Sequence, residues 1–226
     1  MSFNGKTVMV TGAAGSLGQV VAKTFSGLGA NLVLLDVKGK DDEQGLFIPT
    51  DLLDQKSVDG ATAKAIERFG RIDVLCNIAG GFRMGSPVHE TSDEDWNFLF
   101  DVNVRTVLHT ARAVVPRMLA AGGGKIVNVG AFAAQKGVAQ MAAYTASKSA
   151  VIRLTEAMAG ELRDKGINVN CVLPTIIDTP PNRAAMPKAD PKRWVAPRDL
   201  ARTIAFLASD DAIAIHGAAL PVAGLS

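Results

Sequence analysis

Tyr144 and Lys148 stand four residues apart in Tyr144-Thr145-Ala146-Ser147-Lys148. In a helix that spacing puts a phenol and an ammonium on one face. A cation close to a phenol favours the phenolate and lowers its pKa from about 10 toward neutrality. Such a tyrosine can exchange a proton with a substrate oxygen or nitrogen. The pair is weak evidence alone, because tyrosine and lysine also meet on ordinary surfaces.

A second cluster supplies what the pair lacks. Thr11-Gly12-Ala13-Ala14-Gly15-Ser16-Leu17-Gly18 follows the apolar run Lys6–Val10 and opens a helix-patterned stretch. Glycines at such a turn let the backbone bend sharply and approach a pyrophosphate, with free helix N–H groups aimed at the charge. Asp36 closes the next apolar run, 18 residues after Gly18. A carboxylate there accepts hydrogen bonds from adenosine ribose hydroxyls and repels a 2′-phosphate, which points to NAD(H) over NADP(H). Lys38 and Lys40 follow closely and oppose that charge argument.

The elements that must carry these residues alternate along the chain. Apolar runs at Lys6–Val10, Asn31–Asp36, Leu46–Pro49, Ile72–Cys76, Lys125–Val129, Ile167–Leu173 and Ala219–Val222 read as strands. Helical stretches read over Leu17–Leu28, Gln55–Phe69, Asp93–Asn103, Val104–Ala120, Ala143–Lys165 and Arg198–Ala208. Runs of Val, Ile and Leu without polar alternation suit strands buried on both faces. Strand–helix alternation then predicts an α/β Rossmann fold: one domain over residues 1–226, with a doubly wound parallel sheet of about seven strands flanked by helices. Thr175–Pro197 is the longest irregular stretch, and a loop of that length is expected to serve a substrate.

Composition excludes several classes. The 226 residues carry 24 basic and 22 acidic side chains, a net charge of +2 that gives no reason to expect nucleic-acid or membrane partners. No apolar run is long enough to span a bilayer, and no targeting segment precedes the first strand, so a cytoplasmic location is expected. Cys76 and Cys171 each end an apolar run and read as buried free thiols. No Cys/His cluster has metal-ligand spacing.

With these residues in view, the whole chain resembles the short-chain dehydrogenase/reductase family. The glycine turn, Asp51-Leu52, Asn77-Ile78-Ala79-Gly80, Asn103, Tyr144/Lys148 and Pro174–Thr179 fall in the family's order. The resemblance implies that Gly12, Gly15, Ser16, Leu17 and Gly18 hold the pyrophosphate, and that Asp51 and Leu52 contact the adenine. It implies that Asn77 supports the central strand, that with Ala79 and Gly80 it lies at the dinucleotide site, and that Asn103 holds a relay water behind Lys148. It also implies that Lys148 bonds the nicotinamide ribose, with Pro174, Ile177 and Thr179 at the carboxamide. Helices matching Val104–Ala120 and Ala143–Lys165 pair across a two-fold axis in the family, and Ala142, Ala143, Ala146 and Ala150 allow close approach. A homodimer or homotetramer is the implied assembly.

The sequence departs from the family at two places. The glycines are spaced Gly12, Gly15, Gly18, with Ser16 at the usual middle site. The family's serine, 13 residues before the tyrosine, is Ala131. Losing one such donor costs a few kcal/mol of transition-state stabilisation. Ser147 and Ser149 lie in the tyrosine's own helix and do not obviously replace it. Leu173–Asp190 with Trp194, and Cys76–Phe82, resemble the dihydropteridine reductase branch, which prefers NADH and also lacks the serine. Its quinonoid dihydropterin substrate is electron-poor and accepts hydride readily.

Three readings follow. The first is an NADH-dependent reductase of a pterin-like or quinonoid substrate. The second is a general alcohol or ketone dehydrogenase in which Gln135 or Gln140 replaces the serine. The third is a retired NAD(H)-binding protein. Phe82, Met186 and Trp194 line the substrate pocket or pin the loop, and Trp96, Phe98 and Phe100 read as core or interface.

Overall fold

A computed structural model describes residues 1–39 and 45–226; Lys40 lies outside the described residues. The strands are β1 (Thr7–Thr11), β2 (Asn31–Asp36), β3 (Leu46–Pro49), β4 (Val74–Asn77), β5 (Gly124–Val129), β6 (Ile167–Pro174) and β7 (Ala219–Val222). They form one sheet in the order β3-β2-β1-β4-β5-β6-β7, and every pairing is parallel. Every residue of β1, β4 and β6 is buried, which explains their unbroken apolar runs.

The helices are α1 (Ser16–Gly27), α2 (Gln55–Phe69), α3 (Asp93–Phe100), α4 (Thr106–Ala120), α5 (Ala142–Leu162), α6 (Pro180–Ala185) and α7 (Pro197–Leu207). On one side of the sheet Val21 and Phe25 of α1 meet Leu200 and Ile204 of α7 in one core layer. On the other, Val58 and Ala65 of α2 join Val114 and Met118 of α4 and Leu162 of α5. Burying Phe25 completely contributes up to about 3 kcal/mol of transfer free energy. Local chemistry sets the helix ends. The Asp54 carboxylate accepts the Lys56 N–H at 3.0 Å to open α2, and Gly70, at φ +78°, closes it in the left-handed region.

Strand order reverses between β1 and β4. The crevice beyond their carboxyl ends is the position at which such sheets bind ligands. Thr11 closes that crevice from below: its hydroxyl accepts the N–H groups of Ile78 (3.0 Å) and Ala79 (3.1 Å).

Three expectations need correction. The stretch 93–120 is not two abutting helices, because a wide π-turn, Asp101–Arg105, joins α3 to α4 and contains Asn103. Such one-turn bulges are rare and widen a single turn within an otherwise α-helical stretch, so helical periodicity does not announce them. Thr175–Pro197 is not irregular: it folds into α6, a 3₁₀ turn at Pro191–Arg193 and a bridge between Ile177 and Val195. Of the two readings of Trp96 and Phe98, core or interface, the first fails, since they are 44% and 36% exposed while Leu99 takes the buried position. Trp96 stacks on Phe100 at 4.6 Å, and the Arg83 guanidinium lies 4.0 Å over Phe98.

Candidate active site

The amino-terminal end of α1 faces the crevice. Gly15 caps it with no side-chain hydrogen bond, so the N–H groups of the first turn remain available to an anion. Close backbone contact demands glycine at two places. A Cβ on Gly12 (φ +62°) would come within 2.9 Å of Ala79 Cα, and one on Gly18 would run into the Gly12 carbonyl. Ser16, at the middle position, is exposed beside the half-buried Leu17. Asp36 ends β2 at the same edge. Its Oδ2 accepts the Ala14 N–H at 3.0 Å and its Oδ1 the Val37 N–H at 2.8 Å. Each oxygen keeps a lone pair for a ribose hydroxyl. Asp51 is exposed and Leu52 buried just past β3. These free N–H donors, the glycine cradle and the acidic rim fit a dinucleotide.

The Tyr144–Lys148 pair sits on the first turns of α5. The buried Lys148 Nζ donates to the Val129 carbonyl at 2.8 Å. The Tyr144 hydroxyl makes no hydrogen bond to another described residue, and the Phe82 ring packs edge-on against the Tyr144 ring at 4.8 Å. Asn103 holds Gly81 from both sides, accepting its N–H at 3.0 Å and donating to its carbonyl at 3.1 Å. Its Nδ2 also donates to Ser147 Oγ at 3.1 Å, and Ser147 Oγ donates to the Tyr144 carbonyl at 2.9 Å. A Cβ on Gly80 would come 2.9 Å from Asn103 Oδ1 and 3.1 Å from Lys148 Nζ. Glycine at 80 thus keeps these two side chains together at one opening.

The electrostatics differ from the expectation drawn from spacing. Burial pushes the Tyr144 phenol up to about 12 and the Lys148 ammonium down to about 8. Lys148 does not depress the tyrosine here. Its own burial favours the neutral amine, and its Nζ is turned to the Val129 carbonyl.

Ala131 is buried against Val151, Ile152, Cys171 and Leu173, with Tyr144 packed on this cluster. Both glutamines considered in the serine's place lie at the surface. Gln135 is exposed, with its amide directed to the Phe132 carbonyl at 3.4 Å, and Gln140 is an exposed rim residue at φ +60°. Pro174 ends β6. The Ile177 carbonyl accepts Asn182 Nδ2 at 2.8 Å, and the Thr179 hydroxyl caps α6 by accepting the Asn182 N–H. Trp194 is 7% exposed and pins the flap, whereas Met186 is half-buried and Phe82 is 54% exposed at the opening.

A buried polar chain supports the centre and was not read from the sequence. Thr110 Oγ1 donates to Asn77 Oδ1 (2.9 Å), Asn77 Nδ2 to Asn128 Oδ1 (2.8 Å), and Asn128 Nδ2 to Thr155 Oγ1 (2.9 Å). Two asparagines near strand ends, at 77 and 128, were its only visible signal. Cys76 and Cys171 are buried free thiols, as expected, and burial raises both. Among the described residues no group of three His, Cys, Asp or Glu is placed to hold a metal, and no helix is long and apolar enough to cross a membrane.

Comparison with known proteins agrees with this geometry. The family model described as short chain dehydrogenase matches residues 6–190. D-threitol dehydrogenase of Mycolicibacterium smegmatis is 34% identical, covering 98% of this chain and 93% of that protein. Cis-4-hydroxycyclohexanecarboxylate dehydrogenase of Sinomonas cyclohexanicum is 34% identical, with 99% and 97% covered. Among solved structures, carveol dehydrogenase from Mycobacterium avium in complex with NAD superposes with a TM-score of 0.88 at 27% identity, covering 98% of this chain and 97% of that one.

Proposed function

Because the chain belongs to the short chain dehydrogenase family and is an oxidoreductase, we propose that it uses NAD(H) to reduce an electron-poor, pterin-like or quinonoid acceptor, with Tyr144 as proton donor. The observation that carries this reading is Ala131, buried and without a hydroxyl, while Gln135 and Gln140 are both exposed. With no hydroxyl at that position to hold a developing oxyanion, the substrate must need less such help. The edge-on Phe82 ring offers a flat apolar group beside Tyr144, which suits a planar heterocycle.

A nicotinamide dinucleotide held in the glycine cradle supplies the reducing equivalent as hydride. Gly12, Gly15, Ser16, Leu17 and Gly18 receive its pyrophosphate, and Asp36 its adenosine ribose. Asp51 and Leu52 border the adenine. Asn77, Ala79 and Gly80 shape the middle of the crevice, and Pro174, Ile177 and Thr179 the nicotinamide end. Tyr144 gives its proton to the substrate heteroatom, and Lys148 orients the nicotinamide ribose. Asn103, locked by Gly81 and Ser147, steadies the opening beside Lys148. Asp36 favours NADH over NADPH by repelling a 2′-phosphate.

The test is NADH oxidation with quinonoid dihydropterin generated in situ. Turnover should fall by at least about a thousandfold in Tyr144→Phe with NADH binding preserved, and NADPH should substitute poorly. Unchanged turnover in that variant would sink the role of Tyr144. The names of the relatives favour a second reading, oxidation of a secondary alcohol, since two of them are dehydrogenases of hydroxy compounds. Faster turnover of simple alcohols or ketones than of dihydropterin would establish it. The homodimer or homotetramer is proposed on the family's α4–α5 pairing and on Leu108, 38% exposed on α4; light scattering of the purified protein tests it.

A further inference from the structure

At the end of the sheet opposite Tyr144, the amino-terminal ends of β1, β4, β5 and β6 border a cavity of about 420 Å³. That volume lies in the range of small-molecule sites. Four basic side chains, Lys6, Arg71, Lys125 and Arg163, line it with only two carboxylates, Asp73 and Asp210. The pairing is uneven. Asp73 is consumed: it accepts the Thr7 N–H at 2.8 Å and is ion-paired with Arg71 Nε at 2.7 Å and Lys6 Nζ at 3.8 Å. Asp210 is 83% exposed and 3.8 Å from Lys125 Nζ, a screened pairing worth little. Arg163 has no ion-pair partner among the described residues.

Lys125 is the unusual member. Its side chain is only 12% exposed, yet its Nζ makes one hydrogen bond, to Asn168 Oδ1 at 2.7 Å. Asn168 cannot turn away, because its Nδ2 is committed to the carbonyls of Ile213 (2.7 Å) and Ile215 (3.0 Å). An ammonium has three donors, and beyond Asn168 no hydrogen-bond acceptor for Lys125 Nζ is found among the described residues. Burial, reinforced by Lys6, disfavours its charge and outweighs the help of Asp210. Part of the lining is backbone: Gly122, Gly123, Gly124 and Gly166 place no side chain there, and a Cβ on Gly123 would come 2.6 Å from the Gly166 carbonyl.

We propose that this cavity binds a small phosphate monoester, with the phosphate held by Lys125 and Arg163 and the organic group against the glycine wall. A dianion matches the excess of two positive charges. Its three terminal oxygens accept from both spare Lys125 donors and from the planar guanidinium fork. The site is about 13 Å from the Lys148 anchor along β5, counted from Lys125 to Val129, and does not depend on how the Tyr144 site is read.

The experiment is calorimetric titration with glycerol 3-phosphate, inorganic phosphate and citrate, in excess NADH so that the glycine cradle is filled. One saturable site for glycerol 3-phosphate is expected, weakened about tenfold or more in both Lys125→Met and Arg163→Ala, with NADH affinity unchanged. Arg163 is exposed, so that variant reads the site even if loss of the buried lysine prevents folding. Absence of binding at about 10 mM, or equal binding to wild type and Arg163→Ala, overturns the proposal. Inorganic phosphate binding as tightly as the ester removes the organic part of the assignment, and tighter citrate binding removes the phosphate.

Discussion

Lys148 makes a strong prediction about stability. Its ammonium falls from the ordinary 10.5 to about 8 because it is buried, and the side chain is only 5% exposed. A group with a depressed folded-state pKa holds fewer protons folded than unfolded between those two values. Below pH 8 both states are charged and the burial penalty is present in full. From pH 8 to about 10.5 the folded protein sheds the proton first, so stability rises with pH in that window. The full difference corresponds to about 3 kcal/mol, of which roughly 2–3 kcal/mol is regained by pH 10. Lys148→Met removes the titration. It also leaves the Val129 carbonyl without its partner, a cost of about 1–3 kcal/mol that does not vary with pH. The change with pH is therefore diagnostic and the absolute stability is not. Urea unfolding at fixed protein concentration, from pH 7 to pH 10, measures it. At a slope of about 2–3 kcal/mol per M urea for a chain of this size, the midpoint of wild type should gain about 1 M on the variant. Tyr144, raised to about 12, acts in the opposite sense from about pH 10 upward, but both proteins carry it, so it cancels in the comparison. Parallel profiles for the two proteins would refute the account of a buried ammonium.

Other perturbations test the remaining parts of the site. Asp36→Ala removes the charge at the end of β2, and the preference for NADH over NADPH should narrow about tenfold or more, measured as a ratio of kcat/KM values. Gly18→Ala drives a methyl into the Gly12 carbonyl; NADH fluorescence titration should show binding lost while far-UV circular dichroism keeps the α/β signature. Ser147→Ala leaves Asn103 Nδ2 without its side-chain acceptor. A loss of about 1–3 kcal/mol in denaturant unfolding is expected, with kcat falling more than KM rises.

What the sequence discloses depends on whether the deciding physics is local. The seven strands were legible because burial on both faces leaves unbroken Val, Leu and Ile, as in β1 and β6. The glycine turn was legible because Gly18 answers a contact inside its own βα unit, the Gly12 carbonyl, although the close approach at Gly12 is to the distant Ala79. The flap at Thr175–Pro197 was not, since distant partners shape it. The Thr175 hydroxyl donates to the Ala223 carbonyl at 2.9 Å, and Arg193 to the Leu225 carbonyl at 2.7 Å. Its own Asp178–Arg183 fork, at 2.6 and 2.8 Å, is a pairing that spacing alone does not announce. The lysine–tyrosine electrostatics failed for the same reason, because burial is set by the whole core and not by a four-residue interval. Ser147 was set aside beside Lys148, yet it fastens Asn103 to α5.

The chain of amides and hydroxyls through Asn77 and Asn128 bears on how the sheet finds its alignment. A half-buried strand specifies its pairing by alternation, since slipping one residue turns its apolar side to water. β4 is buried on both faces, and the Val-Leu-Cys run paired with Ile-Val of β5 would lose little apolar contact after such a slip. The side-by-side placement of Asn77 and Asn128 does not survive it, because a one-residue offset would strand two buried amides among hydrocarbon. These two residues act as alignment pins. Replacing both with leucine should leave a chain that still collapses but pairs its two central strands in more than one way.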